Sequence, residues 1–101
     1  MNEQEFLRNC IEYFGEDKQM IVCIEEMAEL TQQLSKFVIG HPKKDRDKVV
    51  EEYVDVVIML HQMKIIFDIQ ADEVDAAKTF KLNRLNTFIE NNPKEKNNEN
   101  L

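Results

Sequence analysis

Asp55 interrupts the run Tyr53-Val54-Asp55-Val56-Val57-Ile58-Met59-Leu60, which is otherwise apolar. A helix built from such a run is apolar nearly all round and belongs in an interior. An ionised carboxylate there is costly unless a positive group meets it. Glu52 stands three residues earlier on the same helical face, with Cβ atoms roughly 5–6 Å apart. Two carboxylates side by side repel, so they require a shared cation or a proton. Glu26 and Glu29 repeat the spacing in Ile24-Glu25-Glu26-Met27-Ala28-Glu29-Leu30. Packed face to face, the two helices would set four carboxylates around one point. An all-oxygen cage of that kind suits a hard divalent cation.

The rest of the chain reads as further helices. Phe6, Leu7, Cys10, Ile11 and Phe14 recur at helical spacing, which predicts a first helix over residues 2–14 capped by Gly15. A second helix is expected over 17–39, from an N-cap at Asp17 to the stop Gly40-His41-Pro42. Gln32 and Lys36 continue its row from Glu29. The charged stretch 41–48 reads as a loop that turns into the next helix near Asp45 or Asp47. The third helix, over 48–67, is the most apolar, and His61 within it is expected as a hydrogen-bonded core histidine. Asp72 is the expected N-cap of a fourth helix over 73–90, with Asp75 at the capping-box position. Val74, Ala77, Phe80, Leu85, Phe88 and Ile89 are its expected inner residues, and Lys78, Lys81 and Arg84 recur every three residues beside Asn83. With 101 residues, 2 Gly and 2 Pro, the chain predicts one all-α domain over 1–91, a four-to-five-helix bundle, followed by a disordered polar tail over 92–101.

Charge and cysteine usage narrow the function classes. A net charge of −7 argues against a nucleic-acid partner, which would want a basic face. An anionic small molecule stays compatible if a metal bridges the charges. No apolar run reaches the length of about 18 that a membrane span needs. The acidic start lacks the apolar core of a signal peptide. Cys10 and Cys23 lack metal-ligand spacing and are expected as reduced thiols of a cytoplasmic protein. Neither His has a Glu three residues before it, as a di-iron bundle would want, and there is no Gly-rich phosphate loop.

Glu25-Glu26-Met27-Ala28-Glu29, then 22 residues, then Glu52-Tyr53-Val54-Asp55, resembles the signature of the all-α nucleoside triphosphate pyrophosphohydrolases, the MazG-like superfamily. The resemblance spans about residues 16–84. It implies a Mg²⁺-dependent hydrolase, with Mn²⁺ as a substitute ion, that cleaves a nucleoside triphosphate to the monophosphate and pyrophosphate. It also implies a homodimer or homotetramer, with active sites built from two subunits. Carried over by position, Glu26, Glu29, Glu52 and Asp55 match the metal ligands. Glu25 or Glu51 would orient or deprotonate the attacking water. Lys78, Lys81, Asn83 and Arg84 resemble the basic, Asn-containing stretch that meets the phosphates.

Two other classes compete with the enzyme: a non-catalytic helical interaction module with decorative acids, and a nucleotide-binding regulator without turnover. Intact acids at all four ligand positions favour the enzyme over the regulator. Burial of Asp55 is expected to separate the enzyme from the interaction module, because a decorative acid should be exposed.

Overall fold

The computed structural model describes residues 1–94, and all regular structure among them is α-helical. The helices are α1 (Glu3–Phe14), α2 (Glu16–Val38), α3 (Arg46–Ile66) and α4 (Ala71–Asn91). The tail expected to be disordered covers 92–101, of which 95–101 lie outside the described residues. Among the described residues, no helix is long and apolar enough to cross a membrane.

Local chemistry sets the boundaries. Asn2 caps α1, its Oδ1 accepting from the Glu5 N–H at 2.8 Å. Gly15 ends α1 at φ 94°, a left-handed backbone that suits glycine, and its N–H donates to the Ile11 carbonyl at 2.8 Å. Gly15 is also the N-cap of α2, so α2 begins at Glu16 and Asp17 lies inside the first turn instead of capping it. At the other end, Gly40 takes φ 66°; its N–H meets the Phe37 carbonyl and the His41 N–H meets the Lys36 carbonyl. That pair of bonds is the Schellman closure. Asp45 caps α3 by accepting from the Asp47 N–H at 2.9 Å, which starts the helix two residues before the expected position.

The fourth helix corrects the sequence reading. Its N-cap is Gln70, not Asp72, and the Glu73 carboxylate reaches back to the Gln70 N–H at 2.9 Å. Glu at the third helical position spans that gap better than the shorter Asp75, so the capping box forms two residues earlier.

The chain divides into two compact units, Met1–Asp68 and Ile69–Leu101. In the first, α1, α2 and α3 pack together around Leu7, Ile11, Cys23, Val56 and Met59. Both cysteines are free thiols, and burial pushes the Cys23 thiol up. Apolar side chains are spread around α3 with almost no preferred face. α1 and α2 cover only one side of it, so Tyr53, Val54, Ile58 and Leu60 stay exposed. His61 is exposed as well, contrary to the core placement its sequence context suggests. The second unit holds α4, whose residues are all exposed, including the expected inner set Val74, Ala77, Phe80, Leu85, Phe88 and Ile89. Among the described residues of its unit, α4 has no second helix against which such side chains could be buried.

Two glutamines sit in the core of the first unit. Gln19 on α2 and Gln62 on α3 are 5% and 3% exposed, and Gln19 Nε2 donates to Gln62 Oε1 at 2.7 Å. Gln62 Nε2 donates in turn to Met59 Sδ at 3.6 Å. Gln62→Leu should leave the Gln19 amide buried and unpaired, a cost of about 1–3 kcal/mol. Urea unfolding monitored by circular dichroism checks this; unchanged stability would show that the pair contributes nothing.

Candidate metal centre

α2 and α3 run antiparallel in one continuous register. Gln19 meets Gln62. Seven residues along α2 from Gln19 stands Glu26, and seven residues back along α3 from Gln62 stands Asp55. Three further along α2 and three further back along α3 stand Glu29 and Glu52. The glutamine pair and the acids therefore form two layers of one seam, about 10 Å apart at 1.5 Å per residue.

Glu26, Glu52 and Asp55 each offer a carboxylate oxygen within 4.8 Å of the others. Glu26 and Glu52 are half-buried and Asp55 is exposed. Glu29, also exposed, lies outside that triad but within hydrogen-bonding reach of both Glu26 and Glu52. The structure thus brings three of the four predicted ligands into one cluster and sets the fourth at its edge. Exposure of Asp55 departs from the burial expected of it. In the single chain its apolar neighbours Tyr53, Val54 and Ile58 face solvent too, so the run that should have enclosed it does not.

The electrostatics of the cluster are one-sided. Loss of water pushes the Glu26 carboxyl up from its ordinary value of 4.5, and Glu29, Asp55 and Glu52 add to the shift. Glu52 is also raised, first by desolvation, then by Glu29, Asp55 and Glu51. Among the described residues, the charged groups that act on these two carboxyls are all acids. Glu26 Oε2 and Glu52 Oε2 are covered from solvent and have no hydrogen-bond donor. Buried acceptors without donors are uncommon and call for a partner. An oxygen-only donor set with orphaned, mutually repelling carboxylates fits a hard divalent cation in charge and in ligand type.

The remaining candidates lie on both units. Glu25 and Glu51 are exposed neighbours of Glu26 and Glu52 in sequence. Lys78, Lys81, Asn83 and Arg84 share the exposed helix α4, where the Arg84 guanidinium lies 5.9 Å from the centroid of the Phe80 ring. Sequence reasoning passed over Gln33. Its Oε1 is a third covered acceptor without a donor, and it lies four residues after Glu29 on α2. Its place one turn beyond Glu29 was the available signal. Gln62 was also missed, although it interrupts the apolar helix α3 as Asp55 does, two turns further on.

The raised carboxyls fix a sign for pH dependence in the metal-free protein. The folded state holds protons on Glu26 and Glu52 more tightly than the unfolded state does. Their contribution is therefore fully present below 4.5 and declines as pH rises through the raised values. The melting temperature should rise as pH falls from about 7 toward about 5, and Glu52→Gln should flatten that rise. A melting temperature independent of pH over this range in the parent protein would remove the repulsive cluster.

No protein-family model matches the chain, and neither does any curated protein or solved structure.

Proposed function

We propose that the chain is a Mg²⁺-dependent nucleoside triphosphate pyrophosphohydrolase of the MazG-like type, acting in the cytoplasm as a homodimer or homotetramer. The observation that carries this reading is the Glu26, Glu52, Asp55 triad with two covered, donorless oxygens and only acids around it. Those three residues and Glu29 would hold the ion. When bound, Mg²⁺ supplies the countercharge that lets an acidic site accept a triphosphate. Glu25 or Glu51, exposed beside the cluster, takes the proton from the attacking water. The water oxygen bonds to the α-phosphorus, the bond from that phosphorus to its bridging oxygen breaks, and pyrophosphate leaves with the electron pair. Lys78, Lys81 and Arg84 carry positive charge for the phosphates, and Asn83 offers hydrogen bonds to sugar or phosphate. The apolar side chains left exposed on α3 support assembly with a second copy.

The exposure of Asp55 favours the competing reading, a helical interaction module with decorative acids. Pyrophosphate release measured with each of the eight common ribo- and deoxyribonucleoside triphosphates separates the two. The enzyme should release pyrophosphate from at least one of them, lose that activity with a chelator, and lose it in Asp55→Asn while remaining folded by circular dichroism. No release from any of the eight, or full activity in Asp55→Asn, would overturn the assignment.

The basic residues of α4 give a separate expectation. Lys81→Ala should raise KM for the triphosphate about tenfold, equivalent to roughly 1.4 kcal/mol. The effect should shrink as ionic strength rises, since the contact is between charges. Steady-state kinetics at two salt concentrations check this, and an unchanged KM would take α4 out of the site.

A further inference from the structure

The packing of α2 on α3 poses a problem of specification. Apolar side chains are spread around α3 without a preferred face, and apolar attraction is non-directional. Apolar attraction alone therefore specifies the axial offset of α3 against α2 weakly, and the nearest alternative is a slide of one helical turn, about 5 Å. When ionised, Glu26, Glu29, Glu52 and Asp55 repel one another and so do not define the register themselves. One directional contact in the seam has a single solution. Gln19 and Gln62, 5% and 3% exposed, meet at 2.7 Å, and Met59 Sδ takes a further Gln62 proton at 3.6 Å. A one-turn slide would part the two amides and leave Gln19 Nε2 without its acceptor and Gln62 Oε1 without its donor, both in the interior, which is disfavoured.

We infer that the Gln19–Gln62 hydrogen bond sets the register of α2 against α3 and is thereby the positioning element for the carboxylate cluster two turns away. The offset of seven residues on each helix carries the alignment from one layer to the other. A buried polar residue that fixes helix register at some expense of stability is a well-attested use of such groups. The effect on metal binding rests on the proposed function, whereas the register claim stands without it.

The test compares the parent with Gln19→Leu/Gln62→Leu, which removes both amides and leaves neither unpaired. Both carry Cys10→Ser and Cys23→Ala, with spin labels on cysteines placed at the exposed positions Lys18 and Arg46. The parent should show one narrow distance between labels. The double variant should stay helical and melt no lower than the parent, yet show a broadened distribution with a component displaced by about 5 Å, one helical turn. Mn²⁺ affinity, read from the electron paramagnetic resonance of the free ion in unlabelled protein, should fall at least about tenfold. A single unchanged distance in the double variant would overturn the proposal whatever the metal data show. A displaced distance with no Mn²⁺ binding even in the parent would uphold the register claim and refute the metal site. A displaced distance with undiminished Mn²⁺ affinity would overturn the positioning role. Should the leucine pair fail to fold, Gln19→Met/Gln62→Met, closer in shape and more adaptable, gives the same reading. Failure of both pairs to fold would overturn the inference, making the amides a requirement for stability and not for register.

Discussion

Like charges meet where α2 and α3 pack, and the first unit has to hold them together against their repulsion. The apolar contacts of Cys23, Val56 and Met59, with Leu7 and Ile11 of α1, supply the attraction. They do so without direction. The glutamine pair supplies direction with little net attraction, since a hydrogen bond in the interior replaces hydrogen bonds to water. The cluster of Glu26, Glu52 and Asp55 is therefore an arrangement the helices impose, not one the acids seek. An imposed arrangement of that kind is how a protein keeps ligands preorganised for a group they would otherwise have to be drawn together to bind.

The helices, and the packing of α2 against α3, were readable from the chain because they follow from local arithmetic. A spacing of three residues puts Glu52 beside Asp55 in any helix, whatever surrounds it. Placement across the seam was only partly readable. Glu26 and Glu29 share the same spacing, yet Glu26 joins the triad and Glu29 stands at its edge. Residues three apart differ by about 60° around a helix, and spacing alone does not say which of the two faces α3. Burial was the least readable property. An apolar stretch can be buried only where another surface covers it, and α1 and α2 cover one side of α3. Asp55 and His61 were misjudged for that one reason. On α4 the error was of another kind: Gln70 and Glu73 outcompeted Asp72 because a longer acid closes the cap better.

Exposed apolar surface and orphaned acidic oxygens occur on the same helix. Tyr53, Val54, Ile58 and Leu60 alternate around α3 with Glu52 and Asp55. Any surface that covers the first set also changes the solvation of the second. A partner seated there would lower the local dielectric around the carboxylates and sharpen both their mutual repulsion and their attraction for a cation. Assembly and metal binding, on the proposed reading, are thus coupled through one helix.

The closed turn between α2 and α3 bears on how the chain acquires this structure. Gly40 ends one helix and Asp45 starts the next only five residues on, each held by its own local hydrogen bonds. Pairing that begins at this bend brings together residues near in sequence first, at small entropic cost, and then spreads outward along both helices. Growth from that end reaches Glu29 and Glu52 before it reaches Gln19 and Gln62. A hairpin that grew this way would pass its least favourable contacts before its most specific one. Anything that screens those acids early, a proton or a cation, smooths the path by which the hairpin closes.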